Sequence, residues 1–125
     1  MRIGGLYSPG LRSCSPSDLL PDAARQMAFA EIGALAVIDD VTRELVGIIS
    51  ERDLVWALAN EDEPRKVQVA AYASPAVHTA ETGEHSSVVA RRMLDAGIRH
   101  LPVVERGQLV GMVSMRDLLA VDSWL

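Results

Sequence analysis

A mixed α/β fold built from two copies of one small unit is the class that the sequence predicts, and three observations predict it. Sliding the chain against itself by 66 residues superposes Ser8-Pro9 on Ser74-Pro75, Ala24-Arg25 on Ala90-Arg91 and Met27 on Met93. The same frame carries Ala30, Ile32, Leu35 and Val37 onto Ala96, Ile98, Leu101 and Val103. A ten-residue stretch occurs twice, Leu45-Val46-Gly47-Ile48-Ile49-Ser50-Glu51-Arg52-Asp53-Leu54 and Leu109-Val110-Gly111-Met112-Val113-Ser114-Met115-Arg116-Asp117-Leu118. In both halves, apolar residues at helical spacing alternate with continuous apolar runs of strand length.

The first half opens a helix near Ser17 and Asp18, with Leu20, Ala23, Ala24, Met27 and Ala28 on its apolar face, and the helix ends near Gly33. Ala34 to Ile38 and Leu45 to Ile49 then read as an antiparallel strand pair, buried on both faces or nearly so. The second strand hands over to a helix at Glu51 to Leu58. In the second half a helix from about Glu84 to Ala96 carries Val88, Val89, Met93 and Leu94. Strands at Leu101 to Val104 and Leu109 to Val113 follow, and a closing helix begins at Met115. The frame slips by two between each strand pair, where Asp40-Val41-Thr42-Arg43-Glu44 is replaced by Arg106-Gly107-Gln108. A hairpin loop tolerates that kind of length change.

These spacings divide the chain into a first repeat at 1–60, a connector at 61–71 and a second repeat at 72–125. The connector is polar and carries the helix-breaking Pro64, and Val67 to Ala73 can form a short helix. A half of this size struggles to bury enough surface alone, so the repeats are expected to share one core about a pseudo-two-fold axis. Clefts at such an interface are favoured ligand sites.

Composition narrows the function classes. Of 125 residues, 49% are hydrophobic and 23% charged, which is a globular balance, and only 4% are aromatic, so Val, Leu, Ile, Ala and Met must fill the core. The net charge of −5 repels a phosphate backbone, so no nucleic-acid partner is expected. Cys14 is the only cysteine, which excludes an internal disulfide and a thiolate metal cluster. No stretch reads as a signal peptide or membrane span, so a soluble cytoplasmic protein with no membrane partner is the expectation. His78, His85 and His100 have no spacing that places two on one helical face, and no metal site is expected. No nucleophile and base pair or Walker loop is visible, so no catalytic residue is assigned.

The doubled stretch holds the chemistry. Ser50 and Ser114 stand where an N-cap would, with Asp53 and Asp117 at the third helical position. Helix starts have unpaired N–H groups and attract anions, and a neighbouring Arg adds charge. Taken alone, Ser-x-x-Asp reads first as a capping box, which stabilises a helix by roughly 1 kcal/mol with no ligand. Met27 and Met93 read as core, Arg25, Arg91 and Arg92 as a solvated helix face, and Trp56 and Trp124 as packed rings, with an interface anchor as the alternative for either. Cys14 reads as a packed or partly exposed thiol.

The Gly-apolar-apolar-Ser-x-x-Asp-Leu pattern, preceded by Ile98-Arg99-His100-Leu101-Pro102-Val103-Val104 and present twice, resembles a tandem pair of cystathionine-β-synthase (CBS) domains, or Bateman module. The resemblance implies an α/β (α+β) fold of two β-α-β-β-α repeats. It also implies a non-enzymatic regulatory module that requires no cofactor. Such a module binds an adenine nucleotide (AMP, ADP or ATP) or S-adenosylmethionine between its repeats, forms a homodimer and acts on a separate effector protein. Carried over by position, the ribose-binding acids are Asp53 and Asp117 and the hydroxyls Ser50 and Ser114. The phosphate-facing bases are Arg52 and Arg116, with Arg99 and His100. Thr79 and, in the internal frame, Ser13 flank the base, which lies among Ile32, Ala36, Val46, Ile98, Pro102 and Val110. The first half has Gly33-Ala34-Leu35-Ala36 where the second has Arg99-His100-Leu101-Pro102, so one cleft is expected to be poorer in phosphate contacts. The rival reading is a constitutive dimerisation or interaction module with vestigial clefts.

Overall fold

The computed structural model describes residues 1–9, 12–76 and 78–122. In chain order the elements are β1 (Ser8–Pro9), β2 (Ser13–Cys14), α1 (Leu20–Ala30), β3 (Ala34–Ile38), β4 (Leu45–Ser50) and α2 (Glu51–Asn60). They continue with β5 (Ser74–Pro75), β6 (Ala80–Glu81), α3 (Ser86–Ala96), β7 (His100–Glu105), β8 (Gln108–Ser114) and α4 (Met115–Asp122). Single 3-10 turns lie at Ile3–Gly5, Pro64–Lys66 and Val69–Ala71. The described residues thus form the mixed α+β architecture that the repeat pattern predicts. No helix among them is long and apolar enough to cross a membrane.

Two compact units result, Arg12–Val77, and Met1–Leu11 with His78–Leu125. Each has a four-stranded sheet, ordered β2-β3-β4-β5 in one and β1-β8-β7-β6 in the other. The duplicated Ser-Pro pieces explain how the chain is divided. Pro75 pairs with Gly47 and Ser74 with Ile48, while Pro9 pairs with Gly111 and Ser8 with Met112. Each Ser-Pro segment therefore completes the sheet belonging to the other half of the sequence. Proline suits such an edge position because it donates nothing to the ladder. Gly47 is required there, since a Cβ would lie 2.6 Å from the Ser74 carbonyl oxygen. Two of the 3-10 turns are exchanged in the same way: Ile3 N–H donates to the Glu84 carbonyl (2.9 Å) and Val69 N–H to that of Asp18 (2.7 Å).

Among the described residues, each unit has its own cluster of buried apolar side chains. Leu20, Ala23, Met27, Leu35, Val37, Ile49, Ala57 and Val69 surround Cys14 in one. Ile3, Ala80, Val89, Met93, Leu101, Val103, Val113 and Leu118 make the other. The exchanged Ile3 and Val69 are fully buried, so each borrowed segment carries a core side chain as well as backbone bonds.

Local chemistry moves several boundaries. The start of α1 is Leu20, with no side-chain cap, because the Asp18 carboxylate is taken by the Ser15 N–H (2.9 Å) and Pro21 sets the first turn. Likewise α3 starts at Ser86, with the His85 ring accepting from the Ser87 N–H, because Glu84 is engaged elsewhere. The first helix ends at Glu31, in the left-handed conformation at φ 55°, two residues before the expected Gly33. Strand β3 is buried along its whole length, but β4 alternates and leaves Val46 44% exposed, correcting the expectation of two doubly buried strands. Trp56 is also a correction: it lies on the outer side of α2, 56% exposed. Trp124 lies outside the described residues.

Candidate functional site

Both copies of the doubled stretch fold as a strand running directly into a helix, β4 into α2 and β8 into α4. At the first corner Ser50 has extended backbone (φ −117°, ψ 166°), which turns its side chain onto the helix end. Asp53 Oδ2 accepts from the Ser50 N–H (2.8 Å) and from Ser50 Oγ (3.0 Å), and Ser50 Oγ accepts from the Asp53 N–H (3.3 Å). The second corner repeats this, with the Ser114 N–H donating to Asp117 Oδ2 (2.9 Å) and the Asp117 N–H to Ser114 Oγ (3.0 Å). Both are capping boxes. Half of each acid is thereby committed to its own backbone. Among the described residues, Oδ1 of Asp53 and of Asp117 accepts no hydrogen bond.

The helix ends are also partly spent. Glu51 N–H donates to the Gly33 carbonyl (3.0 Å) and Met115 N–H to the Arg99 carbonyl (2.8 Å). With the Asp53 and Asp117 amides on serine oxygens, Arg52 and Arg116 are left as the first-turn positions whose N–H has no partner among the described residues. Their guanidinium groups are exposed and, among the described residues, make no ion pair. An anion at either corner would meet one amide and one exposed cation, a weaker seat than four free N–H groups.

Strand pairing gathers the other predicted residues around each corner. In the first unit Ala34 lies opposite Ser50, and Ser13 opposite Ala36. In the second, His100 lies opposite Ser114 and Pro102 opposite Met112, with Arg99 bonded to the start of α4. Thr79 immediately precedes β6, whose Ala80 pairs with Val103. Ala36 and Pro102 are buried, Ile32, Ile98 and Val110 are half-buried against the cores, and Val46 is the open member of the set. The predicted residues thus divide between the units. Ser13, Ile32, Ala36, Val46, Ser50, Arg52 and Asp53 belong to one, and Thr79, Ile98, Arg99, His100, Pro102, Val110, Ser114, Arg116 and Asp117 to the other.

Three features escaped the sequence reading. Arg92 is not on a solvated face: Nη1 donates to the Thr79 carbonyl (2.7 Å) and to Glu84 Oε2 (2.9 Å), and Nη2 pairs with Glu84 Oε1. This pairing holds the Glu84 carboxyl below the usual carboxylate range. In the first repeat Gln26 Nε2 donates to the Ser13 carbonyl (3.1 Å). The repeat frame could have revealed both, since Gln26 aligns with Arg92 and Ser13 with Thr79. An apolar groove of about 590 Å³ also lies in the first unit, among Leu20, Pro21, Ala24, Leu54, Ala57 and Leu58, with Asp62, Glu63 and Arg65 at its rim. Cys14 is buried, and burial, assisted by Asp18, pushes its thiol up to about 12. It is therefore inert near neutral pH. No group of His, Cys, Asp or Glu among the described residues is arranged to hold a metal ion.

The family model of the CBS domain matches residues 3–60 and again 69–123. The chain belongs to the CBS-domain family. The two matches begin at Ile3 and Val69, the residues whose turns are exchanged between the halves. Protein MK0525 of Methanopyrus kandleri is 34% identical over 113 residues, covering 89% of this chain. This chain spans only 57% of that relative's length. The CBS domain pair of protein MJ0100, solved in complex with 5′-methylthioadenosine and S-adenosyl-L-methionine, superposes with a TM-score of 0.86 at 25% identity, over 99% of this chain and 97% of that one. CBSX2, solved in complex with AMP, superposes with a TM-score of 0.80 at 25% identity, over 98% and 96%.

Proposed function

We propose that this CBS-domain pair is a regulatory, non-catalytic sensor that binds an adenosine-containing ligand at its strand-to-helix corners and passes the signal to an effector protein. CBS-domain pairs are generally regulatory rather than catalytic. The observation that carries the reading is that Oδ1 of Asp53 and of Asp117 accepts no hydrogen bond among the described residues, with an exposed Arg next to each acid in the sequence. A carboxylate with one oxygen fixed to its own backbone is held still, and its second oxygen can accept from ribose hydroxyls. A charged hydrogen bond of this kind contributes about 1.5–3 kcal/mol, tenfold or more in affinity. The ligands of the MJ0100 and CBSX2 structures support the adenosine class. The second corner carries Arg99 and His100 where the first has Gly33 and Ala34, so it is the better seat for a phosphate or other anionic group.

The test is a melting-temperature screen with AMP, ADP, ATP, S-adenosylmethionine and 5′-methylthioadenosine, repeated on Asp53→Asn and Asp117→Asn. Asparagine keeps an oxygen for the cap but turns the second position into a donor, which separates the cap from the ligand. At 100 times Kd a ligand stabilises the wild type by about 2.7 kcal/mol. We expect that response to fall at least tenfold in apparent affinity in Asp117→Asn, with the unliganded melting temperature nearly unchanged. A response kept in full by both variants rejects the site.

A second reading, a constitutive dimerisation or interaction module, is favoured by one observation. Trp56 and Leu58 on α2 and Leu119 on α4 are 56%, 68% and 59% exposed. Exposed large apolar side chains supply area that a contact with another chain would bury. A wild type that forms a dimer but responds to none of the five ligands decides for that reading.

A further inference from the structure

The segment leading into the first sheet is tied down twice by uncharged donors. Ala36 N–H donates to the Arg12 carbonyl (3.2 Å), and Gln26 Nε2 donates to the Ser13 carbonyl (3.1 Å). In the second repeat Pro102 occupies the position of Ala36. Proline has no N–H, so the bond to the carbonyl of His78, the counterpart of Arg12, cannot form. Strand pairing follows suit: β2 pairs from Ser13, whereas β6 pairs only from Ala80, one residue later in the repeat frame. Thr79 is left outside the ladder.

Arg92 occupies the position of Gln26 and reaches the Thr79 carbonyl at 2.7 Å. Its guanidinium is aimed by Glu84, which takes both nitrogens and also accepts from the Glu81 N–H (2.9 Å). Asp18 in the first repeat makes the matching backbone bond, to the Ser15 N–H (2.9 Å), but has no Arg to hold. The side chains of Arg92 and Glu84 are 27% and 25% exposed, so their pairing is partly shielded from solvent.

We infer that Arg92, oriented by Glu84, is a positioning residue that fixes Thr79 and its neighbours for the ligand, a charged clamp replacing the backbone bond that Pro102 removes. The inference rests on the proposed adenosine site, of which Thr79 is the base-flanking member. It assigns the two repeats different means of holding the same stretch of backbone, one uncharged and one ionic. The ionic one weakens with salt, because a partly exposed pair is screened.

Amide hydrogen exchange on the unliganded chain and equilibrium titration with AMP and S-adenosylmethionine test it together. In Arg92→Ala, exchange across residues 78–84 rises about tenfold while that of residues 12–18 stays put. AMP affinity falls about tenfold, the worth of one charged hydrogen bond. Arg92→Gln, which copies the first repeat, returns affinity to within about threefold of wild type. Adding Pro102→Ala to Arg92→Ala restores a backbone donor and slows exchange again. Unchanged exchange in Arg92→Ala overturns the clamp. Faster exchange with undiminished affinity overturns the positioning role and leaves only a structural contact. A wild type that responds to none of the five ligands of the melting screen removes the adenosine reading itself, and does so before any variant is compared.

Discussion

The two repeats agree where they are apolar and disagree where they are polar. Ala23 and Val89, Met27 and Met93, Leu35 and Leu101, Val37 and Val103, Ile49 and Val113 occupy equivalent places in the two cores. Even the register shifts coincide, between Val37 and Ile38 and between Val103 and Val104. Around the candidate site the pairs diverge: Gly33 against Arg99, Ala34 against His100, Ala36 against Pro102, Gln26 against Arg92. A large core side chain must be kept or leave a cavity, whereas positions that reach solvent, such as Gly33 against Arg99 and Gln26 against Arg92, can change their chemistry at little cost. The buried Ala36 and Pro102 differ only between small apolar side chains. The duplication therefore left one skeleton and two differently equipped corners.

The largest expected effect tests the common skeleton. Leu35 and Leu101 sit at matched positions in the central strands and are fully buried. Truncating either to alanine removes buried apolar surface and leaves a cavity, at about 3 kcal/mol. Urea denaturation of Leu35→Ala and Leu101→Ala should show losses equal within about 1 kcal/mol. If one variant loses half as much as the other, the cores are not equivalent and the comparison fails at its base.

Much of this was legible in the sequence because duplication doubles every signal. The apolar runs at Ala34–Ile38 and Leu45–Ser50 and the Ser50 and Ser114 caps are local patterns, and the sequence places them within a residue or two. The exchange of Ser8–Pro9 and Ser74–Pro75 was not legible. A two-residue edge strand has no periodicity, and its partner lies far away in the chain. Arg92 was misread for a related reason. On a helical wheel it belongs to the polar face, and only the return of Thr79 and Glu84 past α3 turns that face into a contact. Trp56 failed because burial was assigned from residue type, while α2 turns that side outward.

The next effect separates cap from site. Ser50→Ala and Ser114→Ala each remove the oxygen that accepts the third helical N–H, a loss of about 1 kcal/mol. Ser114 accepts at the shorter distance, 3.0 Å against 3.3 Å, while Ser50 Oγ also donates to Asp53 Oδ2 (3.0 Å), so the two variants are expected to lose similar amounts in the same denaturation assay. Combining the two should give an additive loss, because the caps belong to different units and share no partner. A combined loss that exceeds the sum by more than about 0.5 kcal/mol would mean that the corners are energetically coupled without ligand.

The smallest effect concerns the ionic clamp, and pH isolates it. Arg92 holds the Glu84 carboxyl below its ordinary range, with the Glu81 N–H assisting. A carboxylate whose folded pKa is lowered binds its proton more readily in the unfolded chain. Its contribution is complete above the unfolded value, about 4.3, and disappears as pH falls through the lower folded value. Glu84→Gln should therefore melt about 1–3 °C below wild type at pH 7, the range for a partly exposed pair in a small domain. That gap should close as the pH is taken well below 4.3. The first repeat has Gln26 at the matching position and no such clamp. Removing the Gln26 side chain should produce a gap that does not change over the same acid range. A Glu84→Gln gap that persists undiminished in acid would show that the carboxylate acts by packing alone, and the distinction between an ionic and an uncharged tether would then fall.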